Sequence, residues 1–131
     1  MIYYSDDGSS WSSAAPGAGY GGSLAAVAFG DGLFVAVGAN GEMQTSTDGE
    51  TWQHVALSST EYLNKVGYGA GIWLVLASGA DAFLASRGGS AWMEAPKDHA
   101  DMGPVAYGKC WAGGGTNGKM FTALQYLSSV L

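Results

Sequence analysis

The stretch "QTSTDGETW", residues 44–52, decides the fold, because the chain writes it twice more in altered form. "YYSDDGSSW" fills residues 3–11 and "LASRGGSAW" residues 84–92, so the closing tryptophans Trp11, Trp52 and Trp92 stand 41 and 40 residues apart. The shared pattern is S-x-D-G-x-x-W. An Asp side chain is short enough to accept hydrogen bonds from the backbone N–H groups of its own turn, and the Gly after it tolerates positive φ. The Trp beyond the turn enters the next strand and packs across the sheet. The pattern therefore reads as a hairpin staple. It is made of Ser5, Asp7, Gly8 and Trp11 in the first copy, of Ser46, Asp48, Gly49 and Trp52 in the second, and of Ser86 and Trp92 in the third.

The repetition extends outward from the turn. "VAFG" at 27–30, "VGYG" at 66–69 and "VAYG" at 105–108 recur every 39 residues. A second apolar segment follows each of them: "LFVAVG" at 33–38, "IWLVLASG" at 72–79 and "CWAGGG" at 110–115, with Phe34, Trp73 and Trp111 in equivalent places. Third segments follow at 42–46, 82–86 and 119–123. Weak matches that keep one order and one spacing together make a repeat. A full unit reads as four strands, 24–29, 33–38, 42–46 and 51–57, joined by "GDG", "ANG" and "TDGE", whose Gly, Asn and Asp suit tight hairpins. Short, glycine-bounded segments rich in Val, Phe, Trp and Thr argue against helices. The expected fold class is all-β: four-stranded antiparallel units of about 40 residues, the size of a β-propeller blade, each needing neighbours to bury its apolar faces.

"GLFVAVGANGEMQTSTDGETW" resembles the Asp-box, or sialidase-type BNR, propeller repeats of bacterial surface and phage tail proteins. The resemblance spans essentially the whole chain. It departs from the usual box by lacking one residue between Asp and Gly. The third box has Gly88 where Asp is expected, and a fourth is replaced by Ala123, Leu124, Gln125 and Tyr126. What the resemblance implies is a propeller, and for function a non-catalytic binding or structural module of a virion or cell surface that presents loops to a glycan or protein.

Composition narrows the function classes. The chain of 131 residues is 47% hydrophobic and 12% charged, with 22 glycines. Its net charge of −6 with only five basic residues excludes a nucleic-acid footprint. No apolar run reaches the roughly 18–20 residues of a membrane helix, so no membrane insertion is expected, and "MIYYSDDGSS" carries no signal-peptide pattern. A sialidase grips its substrate carboxylate with several arginines, and this chain has one, Arg87. His54 and His99 read as isolated surface or turn residues, and Cys110 as a buried structural thiol. Asp98 and Asp101, in a polar linker between blades, offer too few oxygens for a cation cage. No catalytic set, metal site or cofactor is expected. The enzyme alternative is a degenerate glycosidase-like hydrolase using carboxylates such as Asp81 or Glu94. Another alternative is a propeller-type assembly factor, which would be expected to carry a basic patch that is missing here. The candidates for ligand contact are Tyr20 and Tyr62, which stand in connections between repeats and do not recur with them.

The units divide as a partial blade of outer strands at 1–15, blades at 24–57 and 63–95, a partial blade of inner strands at 104–123, and a tail at 124–131 that also fits one face of a helix. Three blades cannot enclose an axis, because propellers ordinarily have four to eight. A homo-oligomer is therefore expected, most simply a six-bladed dimer in which residues 1–15 of one chain pair with residues 105–123 of another; seven blades, if residues 119–131 stay in the sheet, and a longer tandem array are the alternatives.

Overall fold

The computed structural model describes residues 1–58, 60–78, 82–96, 102–107, 111–115 and 120–122. Among them, every regular element is a strand except one 3-10 turn, Ala39–Gly41. Four antiparallel sheets follow one another along the chain. The first pairs β1 (Ile2–Tyr4) with β2 (Ser12–Ala14). The second contains β3 (Leu24–Gly30), β4 (Leu33–Gly38), β5 (Met43–Ser46) and β6 (Gln53–His54), in that order. The third repeats it with β7 (Leu63–Gly69), β8 (Ile72–Ala77), β9 (Ala82–Ser86) and β10 (Met93–Pro96). The last holds β11 (Met102–Tyr107), β12 (Trp111–Gly115) and β13 (Met120–Thr122).

Local chemistry accounts for the hairpins. Gly30 pairs with Leu33 and Gly69 with Ile72, leaving two-residue loops, Asp31–Gly32 and Ala70–Gly71, in which all four residues have positive φ. That is the conformation whose twist matches paired strands. The staple turns are built alike. In the second copy, Asp48 Oδ1 accepts from the Glu50 and Thr51 N–H groups, each at 2.8 Å. Ser46 Oγ donates to the same carboxylate and accepts from the Gly49 N–H. Trp52 Nε1 donates to the Gly49 carbonyl at 2.8 Å. The first copy makes the corresponding bonds through Ser5, Asp7 and Trp11. The third, with Gly88 in place of Asp, keeps the Ser86 bond to the Gly89 N–H and the Trp92 bond to the Gly89 carbonyl. The serine and tryptophan halves of the staple thus form without the carboxylate, and the Asp adds acceptors for two further N–H groups.

These bonds hold the carboxyls of Asp7 and Asp48 below their ordinary pKa, chiefly through the backbone N–H groups of Ser10 and Ser9 in one case and of Thr51 and Glu50 in the other. Asp48→Ala is expected to lower the thermal midpoint by roughly 3–6 °C. Asp48→Asn, which keeps one acceptor oxygen, should recover most of that loss. Equal midpoints for the Ala and Asn variants would show that the acceptor is not what matters.

The core lies between the two four-stranded sheets. Val35, Val37 and Met43 of one meet Leu63, Trp73, Val75 and Leu84 of the other. A smaller cluster on the opposite face of the β3–β6 sheet joins Ala36 and Trp52 to Ala14 of the first sheet, with Ile2, Tyr4 and Phe34 packed against it. Trp11, at the first of the three tryptophan positions, is 62% exposed. Among the described residues, no sheet stands on its side to cover it.

Candidate functional site

An apolar groove of about 590 Å³ runs between the β1–β2 hairpin and the β3–β6 sheet. Ile2 and Tyr4 line it from the hairpin, and Leu24, Phe34 and Trp52 from the sheet, with the exposed Val27 as its lip. Phe29, Phe34 and Trp52 make a continuous aromatic row, with ring centroids 4.6 and 6.1 Å apart along it.

The repeat supplies an internal reference for this surface. Val27 and Phe29 on β3 hold the same places as Val66 and Tyr68 on β7. The second pair is half-buried and packs against the core cluster between the two four-stranded sheets. The Tyr68 ring lies on the backbone of Gly30, where an added Cβ would fall on the ring, and it contacts Trp73 at 4.9 Å between centroids. Val27 and Phe29 have no such cover, with exposures of 61% and 58%. The first sheet shields the outer part of this face only, since it has two strands where its neighbours have four.

The strand beside the groove is also open at the backbone. Counting from the staple serines, β1 stands where β5 stands in the next sheet: Tyr4 opposes Ser12 as Thr45 opposes Gln53. There β5 is flanked by β4 and β6, whereas among the described residues β1 pairs only with β2. The hydrogen-bonding groups on its free edge point where a β4-like strand would lie.

A buried polar network clamps the connection that brings β2 to β3. Glu42, 4% exposed, accepts from the Gly21 N–H through Oε2, and through Oε1 from the Gln44 side-chain amide and the His54 ring. Gln44 Oε1 in turn accepts from the Gly17 N–H at 2.8 Å. Burial alone would raise the Glu42 pKa, but the bonds from Gln44, Gly21 and His54, with the His54 charge, outweigh it and hold it low. This corrects the reading of His54 as isolated: it is partly buried with Nδ1 3.0 Å from the carboxylate. The signal that marks the network is the polar pair Glu42 and Gln44 flanking Met43, where the third copy has Ala82 and Leu84 flanking Phe83.

Neither of the two tyrosines expected to contact a ligand lines the groove. The Tyr20 hydroxyl accepts from the Met1 amino group at 3.0 Å, and Tyr62 is exposed in the connection to β7. Glu94 is exposed on β10. Asp81, Asp98, His99, Asp101, Cys110 and the tail lie outside the described residues. Among the described residues, no group of three or more His, Cys, Asp or Glu is placed to hold a metal ion, and no helix is long and apolar enough to cross a membrane.

No protein-family model matches the chain, and no curated protein matches it. A solved structure does match: that of a β-propeller protein, "YCF48 bound to D1 peptide", with a TM-score of 0.62 at 17% identity. The match covers 89% of this chain and 42% of that one, so the chain spans about two fifths of the length of its neighbour. The comparisons lend no support to the Asp-box, phage, virion or carbohydrate side of the sequence expectation. At this identity the likeness concerns the fold alone: the chain is all-β, with antiparallel sheets arranged in a propeller-like manner.

Proposed function

We propose that the chain is a non-catalytic protein-binding module that takes up a polypeptide strand in the groove beside β1. The carrying observation is that Val27 and Phe29 are bare where their repeat counterparts, Val66 and Tyr68, are covered. An added strand would satisfy both vacancies together, since its backbone pairs with the open edge of β1 while its alternate side chains cover the apolar lip. A glycan would use the aromatic row but leave that edge unpaired. The Asp48 carboxylate at the rim is already engaged by its own turn, which leaves it poorly placed for sugar hydroxyls. The structural neighbour is a peptide-bound propeller, and this favours a protein partner over a sugar. A second copy of the chain belongs to that class of partner. The virion or cell-surface setting rests on the repeat resemblance alone.

Trp11 and Trp52 line the groove, so intrinsic fluorescence reports its occupancy. At sub-micromolar protein, extended peptides with alternating apolar residues are expected to shift the emission saturably, and oligosaccharides are not. Val27→Glu, at an exposed position, should abolish the peptide response with the circular dichroism unchanged. A saturable response to oligosaccharides without one to peptides would overturn the proposal, as would turnover of a glycoside panel by the wild-type chain.

A further inference from the structure

We infer that the strand donor is a second copy of this chain, whose β11–β12 hairpin fills the groove with β12 paired antiparallel to β1. The inference rests on the strand-binding groove proposed above and names its occupant.

The repeat specifies the shape of what is missing. In the β7–β10 sheet, the positions equivalent to Val27 and Phe29 are covered by the preceding sheet, whose inner hairpin is β3–β4. The groove therefore calls for another hairpin of that repeat class, set inside β1 as β4 is set inside β5. Among the described residues there is one more such hairpin, β11–β12, built on "VAYG" and the segment that follows it. The sheet that carries it stops at β13 among the described residues, without the fourth strand that completes its two neighbours.

Register makes the fit specific. β12 pairs with β13 as Ala112 to Thr122, Gly113 to Phe121 and Gly114 to Met120. This repeats the pairing of β4 with β5, in which Val35, Ala36 and Val37 oppose Thr45, Gln44 and Met43. β13, β5 and β1 are thus equivalent strands, and β1 can take the slot that β13 holds in the single chain. Tyr4 would then oppose the second copy's Ala112, Tyr3 its Gly113 and Ile2 its Gly114. In place of three residues of β13, the slot would receive β1 together with β2 and the stapled turn between them, giving a complete four-stranded unit. Each copy offers one groove and one hairpin, so two copies satisfy each other around a twofold axis and leave neither surface open.

Light scattering of the full chain between 1 and 100 µM is expected to show twice the monomer mass of 13.4 kDa. For the register, single-cysteine chains are prepared in a Cys110→Ser background and mixed in pairs. Tyr3→Cys with Gly113→Cys, and independently Tyr4→Cys with Ala112→Cys, should form mixed disulfides at least tenfold faster than the out-of-register pair Tyr3→Cys with Ala112→Cys. The second in-register pair keeps the test open if the glycine replacement impairs folding. Comparable rates in all three mixtures would overturn the pairing. A folded monomer at 100 µM whose groove still takes up peptides would overturn the second-copy assignment and leave the groove standing. A monomer that takes up no peptide would overturn both.

Discussion

Trp73→Ala is expected to lower stability by about 3–5 kcal/mol, the cost of emptying a fully enclosed aromatic site. The side chain is 1% exposed and belongs to the cluster that joins Val35, Val37 and Met43 of one sheet to Leu63 and Val75 of the next. Its removal opens a cavity at the contact between the two complete sheets, and it also takes away the aromatic partner of Tyr68. A domain of this size is typically stable by about 5–15 kcal/mol, so a loss of this order brings the chain close to unfolding. Phe34→Ala supplies the control. Phe34 holds the equivalent repeat position but lines the half-open groove, so its loss should be about half as large. Urea unfolding at sub-micromolar protein, where association is weak, measures both. Equal losses would mean that the two repeat positions share one environment, contrary to the difference in cover seen around them.

Glu42→Ala should cost about 2–4 kcal/mol, because it leaves the Gly21 N–H, the Gln44 amide and the His54 ring without their acceptor in a buried place. Glu42→Gln keeps an acceptor oxygen but gives up the charge, and an intermediate loss is expected. The effect carries a pH signature. The folded-state pKa of Glu42 is depressed, so its contribution is fully present above the unfolded value of about 4.3 and is lost as pH falls through the folded value. The stability gap between wild type and Glu42→Ala should therefore hold steady down to about pH 5 and narrow below about pH 4. A gap that widens on acidification would show that the carboxylate is not the stabilising form. Amide exchange at Gly17 and Gly21 should rise in the same variant, since the clamp ties both residues to the β3–β6 sheet.

The first prediction concerns residues that the repeat alone does not distinguish. Phe34 and Trp73 occupy one repeat position, and nothing in their local sequence says that one is sealed and the other borders a groove. Trp11, Trp52 and Trp92 close the same turn with the same indole hydrogen bond, yet Trp52 is buried and Trp11 is mostly exposed. His54 looked solitary because its partner stands twelve positions earlier, on a strand that folds back beside it.

The sequence by itself determined the local order of this protein: the strand class, the tight glycine-bearing connections, and the staple turns. These are legible because their hydrogen bonds close within a few residues, and because backbone strain is decided by the residue that bears it. The likeness of the chain to a solved propeller agrees with that reading at the level of fold. Only the tertiary structure decided which copy of each apolar position is covered, and how Glu42, Gln44 and His54 meet under the 17–21 connection. Burial depends on the neighbouring sheet as well as on the residue. Equivalent segments such as "VAFG" and "VGYG" therefore become a bare lip in one place and a packed interface in the other.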